Sequence, residues 1–579
     1  MATVGKEVVQ PPQRGPLPAD LEIARSVRPR PVEQVAAGMG LAPEWLEPYG
    51  RDVAKVRLQA IEALADRPRA RYVVVSAITP TPLGEGKTTT AIGLAQGFHH
   101  IGRSATVTLR QPSMGPTFGI KGGAAGGGYS QVIPMERINL HLTGDVHAVG
   151  VAHNLLAAAI DNHLFQRRGV DLDPHNVSWR RVLDINDRAL RQTVIGLGSR
   201  ADGVPRQTGF EITAASEVMA VLALATSLED LRRRLGRIVV GYDRSGQPVT
   251  AEDLKCAGAM AVLLRDALMP NLLQTLEHTP ALVHTGPFGN IAHGNSSIVA
   301  DQLGIRAGEF LVTEAGFGAD MGAERFFNIK CRASGLTPDA AVLVATVRGL
   351  KLHSGRHRVV AGRPLPPAML DECPEDVTAG ADNLRRQIRN VRLHGVSPVV
   401  AINAFPSDYD SEHRVIREVA EAEGARVALC SHVVDGGQGA AELAEAVAEA
   451  AAEPVDFQFL YPDTLAPAEK IERIATRVYG ADGVDCTPAA RSQLAAFERL
   501  GYGHLPVCIA KTHLSLSADP ERKGAPTGWR LPVREVRLSA GAGFLYALCG
   551  EMRTMPGLGA SPALQRIDLD DDGEVVGLS

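Results

Sequence analysis

The chain has 579 residues, of which 45% are hydrophobic, and a net charge of -5 at pH 7. This length exceeds what one hydrophobic core supports, so we expect roughly two to four domains. The modest charge gives no global reason to expect a nucleic acid or an anionic membrane as a partner. The seven cysteines are scattered and odd in number, which favours reduced thiols over a disulfide framework or a zinc site.

The N-terminal segment lacks the features of a targeting signal. It has no apolar core, and no stretch of the chain approaches the roughly 20 apolar residues of a membrane helix. Glu7, Asp20 and Glu22 argue against a mitochondrial transit peptide, because such peptides avoid acidic residues. We therefore expect a soluble, cytoplasmic protein in which residues 1–19, rich in proline and glutamine, form a flexible extension.

An apolar run, a glycine-containing loop and a helix-forming stretch follow one another in residues 71–96. The run predicts a short strand buried on both faces, as in parallel sheets. In this context backbone N–H groups face an anion, Lys87 reaches the outer phosphates of a nucleotide, and Thr88 offers a hydroxyl to Mg²⁺. The candidate ATP- and phosphate-binding residues are Thr81, Pro82, Leu83, Gly84, Glu85, Gly86, Lys87 and Thr88. Thr81 stands where the standard pattern has glycine, so an ordinary glycine-rich turn is the alternative.

A second predicted strand, residues 104–109, ends directly before Arg110. Ligands of open α/β sheets bind at the carboxyl ends of the strands, so we expect this guanidinium near the 81–88 loop. Arginine presents a planar fork to carboxylate or phosphate, which favours an anion clamp. A surface arginine at a strand end is the alternative.

A glycine-rich run extends from Phe118 to Ser130. Its composition excludes regular structure, and the polar segments directly after it favour a loop that closes on a ligand over a flexible linker. Asp145 follows one of these segments. It is a candidate for orienting Mg²⁺ or polarising a nucleophile, and a turn aspartate is the alternative.

Predicted strands and helices alternate in the remainder of the chain. Helical periodicity dominates residues 20–67 and ends in the segment 53–64. Strands at 281–285 and 310–314 run into polar glycine loops, so we expect several strand ends to build one site. Phe317 lies in the second loop, either as an aromatic that stacks on a flat ligand or as a core plug.

The fold class indicated is α/β. We predict a large P-loop-type nucleotide-binding domain with a mixed or parallel sheet, residues 20–375, and two smaller α/β domains. Composition changes near residues 363–367, and a second strand–helix unit follows. The smaller domains are predicted at 376–500 and at 501–579.

Seven strings of residues resemble the formate–tetrahydrofolate ligase family, over nearly the whole chain from about Asp20 to Asp571. They are Thr79-Pro-Thr-Pro-Leu-Gly-Glu-Gly-Lys-Thr88, Phe118-Gly-Ile-Lys-Gly-Gly-Ala-Ala-Gly-Gly-Gly-Tyr-Ser-Gln131, Asn186-Asp-Arg-Ala-Leu-Arg191, Phe327-Asn-Ile-Lys-Cys-Arg332, Ala510-Lys-Thr512, Gly524-Ala-Pro-Thr-Gly528 and Thr554-Met-Pro-Gly-Leu558.

The resemblance implies a reaction in which MgATP phosphorylates formate and the formyl group passes from formyl phosphate to tetrahydrofolate. The products are 10-formyltetrahydrofolate, ADP and phosphate. It implies that Lys87 contacts the transferred phosphate, that Arg110 clamps formyl phosphate, and that Asp145 is an active-site aspartate. It also implies a homotetramer that responds to a monovalent cation, K⁺ or NH₄⁺.

For the folate site the resemblance implies Phe317, Phe405, Pro406 and Val433. The family usually has tryptophan where Val433 stands, as one wall of the pterin slot. Stacking of a base on an aromatic side chain contributes roughly 1–3 kcal/mol, so we expect weaker folate binding here, by about tenfold.

Three interpretations follow from these residues. The first is an active ligase with weakened folate binding. The second, motivated by Val433, is a related ATP-dependent carboxylate-activating enzyme with an altered acceptor. The third is a catalytically silent nucleotide-binding scaffold, and the intact set of Lys87, Thr88, Arg110 and Asp145 counts against it.

Overall fold

A computed structural model describes residues 17–119, 125–360 and 364–578. Its central feature is a 12-stranded sheet, whose path runs β1-β2-β7-β8-β4-β9-β3-β10-β11-β12, with β6 paired to β7 and β5 to β6. The strands are β1 Leu46–Pro48, β2 Ala54–Val56, β3 Arg71–Ala77, β4 Ala105–Leu109, β5 Gly126–Gly127, β6 Ser130–Ile133, β7 Asn271–Thr275, β8 Pro280–Val283, β9 Phe310–Glu314, β10 Ala340–Ala345, β11 Ser397–Asn403 and β12 Arg426–Cys430.

Most of this sheet is parallel. From β8 to β12 along the path every described neighbour pair is parallel, whereas the β1–β2, β2–β7 and β7–β8 pairs are antiparallel. The carboxyl ends of the parallel strands therefore meet at one edge. The expectation of an α/β protein built on a mixed, mainly parallel sheet is confirmed.

Helices cover both faces of the sheet, as a parallel sheet requires. Alternate residues of β3 point to opposite cores: Val73 and Val75 pack in one, Tyr72 and Val74 in the other. The longer helices are Asp20–Ser26, Val32–Gly38, Lys87–His100, Asp145–Gln166, Glu217–Leu224, Leu228–Gly236, Ala257–Leu264, Ile298–Gly304, Val347–His353, Pro374–Arg392, Asp410–Ala422, Ala441–Ala452, Pro467–Ile474 and Pro488–Arg499. Short helices are Gln59–Ala63, Met114–Phe118, Met135–Asn139, Arg332–Ser334 and His432–Asp435.

Two further groups of elements pack beside the sheet. One lies between β6 and β7 in the chain and has a core of its own around the helix Asp145–Gln166. The other follows residue 455 and is centred on Val507, Leu531 and Leu545. Their strands are Leu172–Val177, Arg181–Leu183, Thr193–Ile195, Arg206–Thr208, Phe210–Ile212, Val239–Asp243, Pro248–Thr250, Val484–Cys486, Val507–Ala510, Leu531–Val533, Glu535–Ser539, Phe544–Leu548, Asp568–Leu569 and Val575–Val576.

Two predictions are wrong. The glycine-rich run, expected to contain no regular structure, includes β5 and the first residue of β6, which pair with each other. The segment 53–64, expected to be helical throughout, contains β2 before the short helix Gln59–Ala63. The reason is tertiary: β2 pairs with β7, and Lys55 within it is buried against Asp145. Helical periodicity cannot report a partner that lies so far along the chain.

The predicted boundary at 375/376 falls between strands that share the central sheet, because β11 and β12 continue it beyond β10. The division into domains stays a prediction. Of the segment 363–367, where composition changes, the structure describes residues 364–367. The N-terminal extension up to residue 16 and residues 120–124 of the glycine-rich run lie outside the described residues.

Candidate active site

The 81–88 loop connects β3 to the helix Lys87–His100, both of which are buried in the core. Gly86 is the last residue before this helix and has φ of 79°, in the left-handed region that favours glycine. A Cβ at Gly86 would also lie 2.5 Å from the side-chain nitrogen of Asn403. The loop therefore turns tightly and directs a helix N-terminus toward the carboxyl edge of the sheet, where such a terminus favours an anion.

Glu85 holds this loop from the inside. Its side chain is buried, and one carboxylate oxygen accepts hydrogen bonds from the backbone N–H of Thr81 at 3.0 Å and from the Thr81 hydroxyl at 2.9 Å. The other oxygen accepts from the hydroxyl of Thr346, which follows β10, at 2.6 Å. The threonine that replaces the usual glycine at position 81 thus has a partner within the loop, and Glu85 acts as its brace.

Thr88, Glu314 and Arg110 form a continuous chain of contacts at the edge of the sheet. The Thr88 hydroxyl donates a hydrogen bond of 2.6 Å to one carboxylate oxygen of Glu314. The Arg110 side chain donates through Nε to the other oxygen at 3.3 Å. The Glu314 side chain is 5% exposed and that of Arg110 30%, so the guanidinium faces solvent more than its partner does.

Strand order explains this meeting. The strand β9, which ends at Glu314, lies between β3 and β4, with Glu314 opposite Val75 and Thr313 opposite Thr108. The residue after β4 and the loop after β3 are therefore brought to the two sides of Glu314. The expectation that Arg110 lies close to the 81–88 loop agrees with this geometry.

Several buried polar groups close to Arg110 lack a hydrogen-bond partner among the described residues. They include both amide atoms of Gln111, the Thr285 hydroxyl, both ring nitrogens of His293 and the side-chain oxygen of Asn295. Burial, reinforced by Lys330 and Arg110, holds the pKa of His293 well below its ordinary value, so the ring is neutral. Unpaired buried polar atoms are uncommon and mark this region as one suited to a polar ligand.

Asp145 lies in a buried ion pair. It is the first residue of the helix Asp145–Gln166, and its two carboxylate oxygens accept from Lys55 Nζ at 2.7 Å and from the Asn271 amide at 2.7 Å. Asn271 is opposite Val283, which is opposite Leu109, so two strand spacings, roughly 10 Å, separate this pair from the strand end at Arg110. The described contacts of Asp145 anchor the helix to the sheet.

Comparison with known proteins identifies the family. A model described as formate–tetrahydrofolate ligase matches residues 18–579. The chain belongs to the formate–tetrahydrofolate ligase family. It is therefore a ligase of tetrahydrofolate-linked one-carbon metabolism, and ATP dependence follows from that enzyme class.

Relatives from three bacteria match over almost their entire length. The formate–tetrahydrofolate ligase of Saccharopolyspora erythraea is 70% identical over 563 residues, which cover 97% of this chain and 100% of the relative. That of Cutibacterium acnes is 65% identical over 560 residues, with the same coverage of both chains. That of Roseiflexus castenholzii is 60% identical over 562 residues, again 97% and 100%.

Candidate folate residues of this ligase follow three different strands. Phe405 follows β11, and the guanidinium of Arg348 lies 3.5 Å from its ring centroid; Pro406, the next residue, is exposed. Val433 follows the neighbouring strand β12, and its carbonyl accepts the N–H of Tyr129 at 2.9 Å. Phe317 follows β9, three strands from β11, or roughly 14 Å at the strand ends.

Phe317 has φ of 62°, a conformation that is unusual for a bulky residue. Its ring stacks on His513, with 4.6 Å between centroids and an interplanar angle of 18°. The structure thus brings Phe405 and Val433 to neighbouring strand ends, and gives Phe317 a stacking partner of its own in the C-terminal region.

The sequence-based interpretation gave no role to Glu314 or Arg348 and assigned Glu85 only to phosphate binding. The signal for Glu314 was its position as the last residue of a predicted strand. Among the described residues no group of three or more histidine, cysteine or acidic side chains is placed to hold a metal ion. No helix in the described ranges has the length and apolarity needed to cross a membrane.

Proposed function

We propose that this chain joins formate to tetrahydrofolate in two steps, through formyl phosphate, and that the 81–88 loop is a P-loop-type site for the phosphates of ATP. The observation that carries the proposal is the contact chain from Thr88 through Glu314 to Arg110. It places a nucleotide-type loop and an anion-binding guanidinium on two sides of one carboxylate. A nucleotide phosphate and a small carboxylate bound at these two positions would lie next to each other.

Formate is a resonance-stabilised anion and a poor acylating agent, so it requires activation. In the first step a formate oxygen attacks the γ-phosphorus of ATP, the bond to the β-phosphate oxygen breaks, and ADP leaves. In the second step N10 of tetrahydrofolate attacks the formyl carbon and phosphate leaves. The nitrogen loses its proton, and 10-formyltetrahydrofolate forms.

Phosphoryl transfer depends mainly on positioning and charge neutralisation. Lys87, at the first position of the helix, is assigned to the transferred phosphoryl group, and Arg110 to formate and formyl phosphate. Arg110 contacts Glu314 through Nε, and its two terminal nitrogens are assigned to the substrate. Asp145 is assigned a positioning role, since its carboxylate is engaged by Lys55 and Asn271.

The residues at the loop fit a magnesium ion. Thr88 presents a hydroxyl oxygen beside a buried carboxylate, and Mg²⁺ prefers such hard oxygen ligands together with substrate phosphates. Thr88 would hold the ion, which, when bound with ATP, neutralises charge on the β- and γ-phosphates.

The folate site is assigned to Phe405, Pro406 and Val433, with Phe317 at its far side. A domain at 376–500 that supplies part of this wall, a homotetrameric assembly, activation by K⁺ or NH₄⁺ and a cytoplasmic location rest on the family resemblance and stay predictions. The alternative with a changed acceptor is not favoured, because relatives with up to 70% identity over almost the entire chain are named as the ligase.

The test measures ADP release and 10-formyltetrahydrofolate formation by the purified protein with MgATP, formate and tetrahydrofolate. We expect equal amounts of both products, dependent on all three substrates. Lys87→Ala is expected to reduce the rate about 100-fold or more, as removal of one preorganised charge-stabilising donor does in other enzymes. ADP formation with formate but no formylated folate at any concentration would contradict the assignment of the acceptor.

A further inference from the structure

We propose that Glu314 is the positioning carboxylate that joins the metal side of the site to its formate side. It would orient the Thr88 hydroxyl toward the Mg²⁺ of MgATP and the Arg110 fork toward formate. The inference rests on the proposed nucleotide role of the 81–88 loop and adds a residue to it.

The direction of the hydrogen bond from Thr88 supports the role of Glu314 on the metal side of the site. A hydroxyl can bind a cation only through an oxygen lone pair, so its proton must point away from the ion. Here the Thr88 proton is donated to Glu314 at 2.6 Å, which leaves the lone pairs of Thr88 free to face the loop. Pairing of a P-loop hydroxyl with an acidic residue from a neighbouring strand is the arrangement by which P-loop enzymes hold Mg²⁺.

The contact with Arg110 supports the role of Glu314 on the formate side of the site. Glu314 engages Nε, and Gly316 leaves room for the guanidinium, since a Cβ there would lie 3.3 Å from Nη1. A guanidinium bound through Nε is fixed in its plane while both terminal nitrogens remain available to a carboxylate. Glu314 therefore sets the direction in which this fork points.

The backbone of Glu314 is held firmly. Its strand lies between two parallel neighbours, and its carbonyl accepts from the Asn295 amide at 3.3 Å. The next residue, Ala315, is bridged to Asn295. The carboxylate is thus presented by a rigid element, which suits a group that fixes two others.

The test compares wild type with Glu314→Gln in the full-length protein. Thr88 and Arg110 donate to different oxygens of Glu314, and glutamine has an acceptor oxygen at only one of these two positions and an NH₂ donor at the other. We measure Mn²⁺ binding to the protein–ADP complex by electron paramagnetic resonance, ADP binding without metal by calorimetry, and the steady-state constants for formate. We expect Mn²⁺ affinity to fall about tenfold, as loss of a charge-assisted hydrogen bond predicts. Metal-free ADP binding should not weaken, and the KM for formate should rise.

Three further variants sharpen the comparison. Thr88→Val in the Glu314→Gln background should add little to the loss of Mn²⁺ affinity if both residues act through one hydroxyl, whereas independent roles give additive losses. Thr88→Ser, which keeps the hydroxyl, should retain Mn²⁺ affinity. Glu309→Gln is the matched control, because Glu309 pairs with Arg103 beside the other end of β9 and should leave every readout unchanged.

The outcomes separate this inference from the proposed function. If wild type binds neither ADP nor Mn²⁺ with ADP, the assignment of the loop fails. If wild type binds both and Glu314→Gln binds Mn²⁺ equally well, the role of Glu314 is refuted while the loop assignment stands. Should Glu314→Gln fail to fold, Glu314→Asp replaces it, since the shorter side chain cannot reach both partners and the same losses are expected.

Discussion

The carboxylate of Glu85 accepts a hydrogen bond of 2.6 Å from the hydroxyl of Thr346, and so ties the 81–88 loop to the end of the neighbouring strand β10. Thr346 also accepts from the N–H of Gly349 at 3.0 Å, as the cap of the helix Val347–His353. The loop is thus braced on a helix start, and the side chain at its centre is committed to this brace.

Replacing Glu85 by glutamine should weaken nucleotide binding without contacting the nucleotide. The amide supplies one acceptor, and its NH₂ group would face either the Thr81 N–H or the Thr346 hydroxyl. We expect the KM for ATP to rise about tenfold, which corresponds to roughly 1.4 kcal/mol. Steady-state kinetics with ATP varied and formate saturating is the measurement.

Thr346→Val is the partner variant for this test; it removes the donor to Glu85 and also the cap acceptor for the Gly349 N–H. The double variant should lose less ATP affinity than the sum of the two single variants. Strictly additive effects would mean that the hydrogen bond between these two side chains does not support the loop.

Val433→Trp should strengthen folate binding. The carbonyl of Val433 is held by the Tyr129 N–H, and Gly128 packs against its side chain, so a larger ring must extend away from Gly128. Restored stacking of roughly 1–3 kcal/mol predicts a KM for tetrahydrofolate lowered about tenfold or more, with the KM for ATP unchanged. Val434→Trp, on the next residue, controls for added hydrophobic area. If the KM for tetrahydrofolate is unchanged in Val433→Trp, the valine at this position does not weaken folate binding.

The ion pair of Lys55 with Asp145 should contribute measurably to the free energy of unfolding. Both side chains are almost completely buried, at 1% and 4% exposure. Asp145→Ala leaves the Lys55 charge buried without its partner, and loss of one member of such a pair costs about 3–5 kcal/mol. Denaturant unfolding of Asp145→Ala, Lys55→Met and the double variant tests this. The double variant should be more stable than additive losses predict, and full additivity would contradict a direct pair.

How much of this site was predictable depends on how far each contact reaches along the chain. Strands such as β3 and β10 are predictable because a strand buried on both faces has a continuous apolar run, which the local sequence shows directly. The 81–88 loop and Arg110 were predicted in the same way, since each directly follows a strand.

Contacts set by strand order were not predictable. Glu314 meets Thr88 only because β9 inserts between β3 and β4, more than 200 residues away in sequence, and no local pattern states that order. Asp145 is interpreted as an active-site residue from the polar segment before it and from the family resemblance, and its buried partner Lys55 lies in a segment expected to be helical. A side chain's partner decides whether it is free for chemistry, and distant partners leave no periodic signal.

Glu324 should make stability decrease as the pH rises from about 5 to 8. Burial raises the pKa of this carboxyl from 4.5 to about 8, and within the described part of the chain only one of its two oxygens has a hydrogen-bond partner, Asn328, at 3.0 Å. Between these values the folded state binds a proton that the unfolded state has lost, so the contribution is complete below pH 4.5 and disappears as the pH passes 8. The difference corresponds to at most about 5 kcal/mol.

Unfolding free energies of wild type and Glu324→Gln between pH 6.5 and 8 isolate this effect. Burial lowers the pKa of His153, His394 and His432 to about 4. These histidines make stability increase with pH only up to their ordinary pKa of 6.5, so they add no slope above it. The glutamine variant keeps the acceptor for Asn328 but cannot ionise at position 324, so its stability should fall less steeply in this window than that of wild type. Burial also raises the pKa of Glu217 to about 7, and this carboxyl contributes the same slope to both proteins. Exposed Glu445→Gln is the control and should follow wild type. Parallel curves for wild type and Glu324→Gln would show that Glu324 does not titrate in this range.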